Sequence, residues 1–271
     1  MLRIDSMFVR ASALIFAAAL VACGDDDDGP SGPGPGDSDF EWTGQVTQGL
    51  ATEIKGISGS ISATLASGNQ VEVFATKEGQ QSDPATVTLE VLEHAGGVTI
   101  CAVYPDVAGQ PPNECAPGLD GNMSNQDNDV EVTFAVTVPQ GVDFVGRTVA
   151  GNVNATGLQS DAFAYIVSGN ADITTTTIAE ASTVSGSIDV TLGENSPPQN
   201  LDFSAVSGNV TLRIPASTNA AVRATFVTGS VSSDFPLVES SPGVWEATLG
   251  SGGSLLSLST VTGTVALRSG S

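Results

Sequence analysis

The sequence predicts an all-β fold, a single-stranded parallel β-helix of about six to seven rungs, on three observations. From Phe40 onward Val, Ile, Thr and Ser dominate, glycines punctuate the chain, and no stretch sustains the 3.6-residue apolar period of a helix. Short alternating runs such as Val71-Glu72-Val73-Phe74-Ala75 and Val130-Glu131-Val132-Thr133-Phe134 read instead as half-buried strands. A five-residue motif recurs, with an aliphatic residue, then Ser, Thr or Ala, then Gly, a small polar residue and an apolar one. Its copies are Ile57 to Ile61, Val149 to Val153, Val167 to Ala171, Val184 to Ile188, Val206 to Val210, Val227 to Val231 and Val261 to Val265. The glycines at 151, 169, 186, 208, 229 and 263 are separated by 18, 17, 22, 21 and 34 residues, a repeat architecture.

The N-terminal element precedes that fold. Arg3 and Arg10 precede an apolar stretch, Ala11 to Ala22, about a dozen residues long against the ~20 that a membrane-spanning helix needs. This is the pattern of a signal peptide over residues 1–22, with the small residues before Cys23 making that cysteine a lipidation site. Acyl chains such as palmitate would then anchor the chain to a membrane, each buried methylene contributing ~0.8 kcal/mol. Gly24 after Cys23, where Asp would direct inner-membrane retention, leans towards the outer membrane of a bacterial cell envelope.

Residues 23–39 follow as a tether, GDDDDGPSGPGPGDSD after the cysteine, with no apolar residue to offset the entropy of ordering it. Asp25 to Asp28 read as a solvated, self-repelling run. Residues 40–140 carry one copy of the motif, around Gly59, and a Pro- and Gly-rich stretch between Cys101 and Cys115. They are expected to form a first rung or cap with an elaborated insertion, and the two cysteines, 14 apart on an exported chain, to form a disulfide. Residues 141–271 are expected to be the repeat β-helix proper.

Within a repeat, alternation with period two puts Val184, Gly186, Ile188, Val190 and Leu192 on one face and Ser185, Ser187, Asp189 and Thr191 on the other. The first set is the expected core, with Gly where the backbone bends or another backbone approaches closely. A β-sandwich is the alternative, since it also spaces strands by 8 to 12 residues. Recurrence of one motif in one phase favours translation along an axis, each copy stacked in parallel on the last, because a single rung cannot bury its apolar row alone.

These repeats, together with Glu41-Trp42-Thr43-Gly44, Ser233-Asp234-Phe235-Pro236-Leu237 and Leu258-Ser259-Thr260-Val261-Thr262-Gly263, resemble the DUF4097 adhesin-like family of bacterial β-helix proteins. The resemblance covers roughly residues 40–271 and implies a single-stranded parallel β-helix on exported or anchored proteins. It implies no catalytic residues and no cofactor.

The chain has 30 acidic and 8 basic residues; removing Asp5, Arg3 and Arg10 with the signal peptide leaves 29 against 6, a formal charge of −23. Such a surface repels nucleic acid, whose phosphates need Lys and Arg clusters. The single histidine, His94, lies in a strand-to-turn stretch without the orienting acid and oxyanion hole of a nucleophilic site, and it is too little for a zinc site. Asp172 and Asp189 fall in register on adjacent repeats and are the one pair that could serve as acid and base of a glycan-active enzyme. Asp120, Asn122, Asp127 and Asp129 space oxygen ligands in the manner of a calcium loop, yet Gln126 stands where such a loop bends at glycine, and an Asx-rich turn is the preferred reading. The small polar residues around each glycine, Ser168, Asn170, Ser185, Ser187, Ser207, Asn209, Thr228 and Ser230, are expected to form surface ladders, bonded to one another or to a hydroxyl-rich ligand. The expected function is a non-catalytic, adhesin-like envelope module whose partner is a glycan or an envelope protein; a glycan-active enzyme and a structural envelope scaffold are the alternatives.

Overall fold

The computed structural model describes residues 39–193 and 199–270. The proposed signal peptide, Cys23 and nearly all of the tether lie outside those residues. The regular structure of the described chain is almost entirely strand: β1 (Phe40–Gly44), β2 (Ala51–Lys55), β3 (Ile61–Leu65), β4 (Val71–Glu78), β5 (Thr88–His94), β6 (Gly97–Val103), β7 (Glu131–Val138), β8 (Asp143–Ala150), β9 (Val153–Leu158) and β10 (Ala162–Ser168). There follow β11 (Ala171–Thr175), β12 (Ala179–Ser185), β13 (Ile188–Leu192), β14 (Leu201–Ser207), β15 (Val210–Pro215), β16 (Ala220–Ser233), β17 (Val238–Ser241), β18 (Val244–Leu249) and β19 (Leu255–Gly270). The only helical turn among these residues is a 3-10 turn at Pro84–Thr86. No helix among them is long and apolar enough to cross a membrane.

Two ladders of parallel strands run along one axis. The first is β6-β2-β8-β10-β12-β14-β19-β16. The second is β7-β3-β9-β11-β13-β15, completed by the C-terminal halves of β19 and β16. Each level except that of β6 and β7, which the 104–130 insertion connects, joins a strand of the first ladder to a strand of the second through the glycine of the repeated motif. Neighbouring copies therefore run in the same direction and stack, as a β-solenoid requires and a sandwich does not.

The order of levels follows the sequence only from β8 to β15. The first level in the sequence, β2 and β3, lies between β6 and β7 on one side and β8 and β9 on the other. At the far end β19, the last strand, is inserted between β14 and β16. This corrects the expectation that each copy stacks on the one before it. The 34-residue gap between Gly229 and Gly263 is the antiparallel excursion of β17 and β18, after which the chain returns inside its own last level. Antiparallel strands β5, β4 and β1 likewise cover the N-terminal end. Terminal parallel strands present unpaired edges; β5 and β4 cover β6 and β7 at the N-terminal end, while β18 covers β16 only over Ala220–Thr225.

Alternation inside the strands follows the period-two reading. In β13, Ile188, Val190 and Leu192 are buried while Asp189 and Thr191 are half-exposed, and β7 buries Val132, Phe134, Val136 and Val138. The interior is narrow, so bulk is traded between levels. Gly146, Ala164, Ala181, Phe203 and Leu258 are successive neighbours in one inward column, and Phe144, Ala162 and Ala179 in the next. A methyl added at Gly146 would press on Val153 and the ring of Phe144.

Val184 departs from the expected core. It is exposed, and so are Val149, Val167, Val206, Val227 and Val261. The inward residue before the corner is Thr183, and Val184 and Ser185 both face out before Ile188 turns in again. The cause is the glycine: Gly186 has φ +148, a conformation L residues rarely adopt, and the alternation is reset across it.

Candidate functional site

Each corner is built around its glycine. A Cβ on Gly186 would collide with the carbonyl oxygen of Gly169, and the same holds down the column through Gly59, Gly151, Gly169, Gly208, Gly263 and Gly229. The glycine carbonyl points into that close contact, and at alternate levels a buried threonine bonds it: Thr148 Oγ1 donates to Gly59 O at 3.1 Å, Thr183 to Gly169 O at 3.0 Å, Thr260 to Gly208 O at 2.9 Å. The residue after the glycine bonds in the other direction. Asn152 Oδ1 accepts from Asn170 N at 2.9 Å, Asn170 Oδ1 from Ser187 N at 2.8 Å, Ser187 Oγ from Asn209 N at 3.2 Å and Asn209 Oδ1 from Thr264 N at 2.8 Å. Of the expected surface ladders, Asn170, Ser187 and Asn209 are thus committed to closing the corner, and Ser230 Oγ lies 3.3 Å from Thr264 Oγ1.

The residues before the glycine are different. Ser168, Ser185, Ser207, Thr262 and Thr228 are in register and exposed. Their hydroxyls make no side-chain hydrogen bond to another described residue. Beside them runs the valine row, Val149, Val167, Val184, Val206, Val261 and Val227, and on its other side Ser182, Ser204, Ser259 and Thr225 are in register with Tyr165. From β12 to β16 these three columns contain no charged side chain, on a chain of formal charge −22.

At the head of the strip, the 104–130 insertion folds over the outer face. Cys101 and Cys115 form a disulfide, Cα atoms 5.7 Å apart, that fastens the insertion to β6. Asn113 organises it, its Nδ2 donating to Tyr104 O and Ser124 O and its Oδ1 accepting from Ser124 N. Tyr104 is buried, its hydroxyl donating to Val130 O at 2.7 Å, and burial pushes its pKa up to about 12. Lys55 Nζ donates to Ala116 O at 2.7 Å and Asp120 O at 2.9 Å, and burial lowers its pKa. The buried Glu53 carboxylate accepts from Arg147 Nε at 2.6 Å, Gly118 N at 2.8 Å and Thr99 Oγ1 at 2.9 Å. Arg147 in turn lies 4.1 Å over the ring of Tyr165, a cation-π contact. Between this network and the loop is a cavity of about 310 Å³ walled by Ile57, Met123, Arg147, Val149, Tyr165 and Val167, with Leu119, 91% exposed, at its rim.

Sequence reasoning did not find this network or the exposed valine row. Glu53 and Arg147 are 94 residues apart, and no local pattern joins them. The scarcity of cations on so acidic a chain was the available signal, since each one was bound to sit against carboxylates or carbonyls.

The remaining sequence candidates fall elsewhere. Asp172 and Asp189 are adjacent across β11 and β13, and burial followed by the neighbouring Asp189 charge raises the Asp172 pKa; Asp189 is ion-paired with Arg213. His94 stands in the β5–β6 hairpin with Nε2 3.0 Å from Thr99 Oγ1 and Nδ1 accepting from Gly96 N at 3.1 Å. Because Thr99 donates to Glu53, His94 donates to Thr99, the reverse of what a general base would do. Around the calcium-like loop, Asp129 accepts from Gln81 N and Ser82 N, Asn122 donates to Pro111 O and Pro112 O, Asp120 gives its carbonyl to Lys55, and Asp127 holds the turn at φ +60. No group of three His, Cys, Asp or Glu able to hold a metal occurs among the described residues.

A stack of glycine-cornered levels with a continuous outer face of stacked side chains defines a β-helix-like solenoid protein. The chain belongs to the Toastrack DUF4097 family, whose model matches residues 119–268, more than half of it. Among solved structures it is similar to one described as a "putative cell adhesion protein" from Clostridium sporogenes, at 10% identity and TM-score 0.45, covering 85% of this chain and 99% of that one. Another, described as a "putative adhesin" from Bacteroides fragilis, has 12% identity and TM-score 0.36, covering 85% and 96%. No curated protein matches the chain.

Proposed function

We propose that this chain is a non-catalytic, exported lipoprotein, anchored through acyl chains on Cys23 in the bacterial envelope, that binds a glycan or an envelope protein through its uncharged outer strip. The carrying observation is the strip itself: an exposed valine row flanked by two hydroxyl columns, in register, on an otherwise strongly acidic surface. Exposed apolar rows bordered by small polar groups mark interaction surfaces, because desolvating them costs little and no charge must be stripped of water. The Asp189–Arg213 ion pair supports the non-catalytic reading, since it takes up one member of the Asp172–Asp189 pair that the sequence offered as acid and base.

The test is a glycan array and an envelope pull-down with wild type and a Ser185→Asp, Ser207→Asp double variant. Binding by wild type and its loss in the variant is the expected result. Equal binding by both would place recognition elsewhere. Release of a Cys23→Ser variant from the membrane fraction tests the anchor separately.

A further inference from the structure

We propose that the free edge of β16, over Val227–Ser233, pairs antiparallel with the same edge of a second copy, closing a tail-to-tail dimer. β16 is the last strand of the stack. On one side it pairs with β19 along Ala221–Ser233. On the other, β18 pairs with it only over Ala220–Thr225, and Phe226 N donates to Gly243 O as the hairpin leaves. Beyond Phe226 no described strand lies on that side. Val227, Thr228, Gly229 and Ser230 are all exposed, and Val227, at 76%, is the most exposed member of its row. Phe235 and Leu237, which follow, pack against the core, leaving the edge itself open.

An open strand edge offers alternate N–H and C=O groups to another chain, and proteins usually blunt such edges with charge or proline. Val227-Thr228-Gly229-Ser230-Val231-Ser232-Ser233 has neither until Asp234 and Pro236. The occupant follows from charge and topology. Two copies, each of formal charge −22, repel wherever carboxylates face one another, and this edge is an uncharged segment in both. The opposite end of the stack is already taken, β6 by β5 and β7 by β4. The outermost strand there, β5, carries Glu90 and Glu93, charge that disfavours head-to-tail addition, whereas pairing of like edges about a two-fold axis gives a closed dimer in place of a fibre.

Sedimentation velocity of the full chain over a range of concentrations reads this directly. Wild type is expected to shift from monomer to dimer without higher species. Thr228→Lys with Ser230→Lys is expected to weaken association by about tenfold or more, at an unchanged melting temperature. Should the double variant melt early, Val227→Lys, at the most exposed site, serves in its place. A wild type that stays monomeric throughout, whether or not an extended peptide of another protein binds the edge, overturns the proposal. So does a dimer that survives the lysines, or one that grows into filaments.

Discussion

The carbonyl oxygen of Gly169 occupies the space in which a Cβ on Gly186 would have to stand. Successive levels touch there backbone to backbone, and the rest of the corner, with its threonine inside and its asparagine outside, is arranged around that contact.

Replacing Gly186 by Ala should therefore destabilise the protein by roughly 3 kcal/mol or more, combining an unfavourable φ with a clash against rigid backbone. Gly157→Ala is the control. It also has positive φ, +66, but nothing within 4 Å, so its cost should stay at about 1–2 kcal/mol. Denaturant midpoints of the two variants measure the difference.

The asparagine column should behave as a series of independent corner closures. Asn170→Ala removes the acceptor for Ser187 N and should cost about 1 kcal/mol, as should Asn209→Ala for Thr264 N. The two sites are separated along the stack, so the double variant should be additive within about 0.5 kcal/mol. Faster amide exchange at Ser187 and Thr264, respectively, checks the assignment.

Arg147→Met should destabilise by about 3 kcal/mol, because it leaves the buried Glu53 carboxylate without its cation. Adding Glu53→Gln should recover part of that loss. Equilibrium unfolding of the two single variants and the double variant gives the coupling.

Reducing the Cys101–Cys115 disulfide should lower stability by about 3 kcal/mol, the chain-entropy value for a loop of this size. The bonds from Lys55 and Glu53 to residues 116–120 remain, so the insertion should loosen without unfolding the stack. Proteolysis between 105 and 127 after reduction, with β10 to β15 still protected, is the expected pattern.

Stability should rise as pH falls from neutrality into the carboxylate range. Burial, reinforced by a neighbouring carboxylate, raises the pKa of Asp143, Asp172 and Glu180 in the folded state. Their native forms hold protons the unfolded chain has released, so ΔG of unfolding increases as those protons bind. Asp129 opposes this only at lower pH, because backbone N–H groups of Ser82 and Gln81 hold its pKa below the ordinary value. Melting temperature against pH should pass through a maximum on the acid side of neutrality.

Much of the fold is legible in the residues. The alternation of Ile188, Val190 and Leu192 with Asp189 and Thr191 specifies a half-buried strand, and a recurring glycine at a strand junction specifies close backbone approach. Period two carried through Gly186 places Val184 inside, whereas the φ of that glycine resets the alternation and leaves Val184 exposed. The residues before and after the glycine look equivalent in the sequence, yet the column after it is consumed by backbone N–H groups of the next level while the column before it is left to solvent. Spacing cannot separate these two, since both are small, polar and one residue from the same glycine.

By itself, the sequence determined the β class, the repeat and the place of each corner, because these rest on steric rules acting within a few residues. Tertiary structure alone decided that the first level, β2 and β3, and the last strand, β19, insert one level in from the ends, that Glu53 meets Arg147 under the disulfide loop, and that β16 keeps an open edge. Those outcomes depend on which distant segments cover each other's backbone edges, and satisfying an edge is a property of the whole stack.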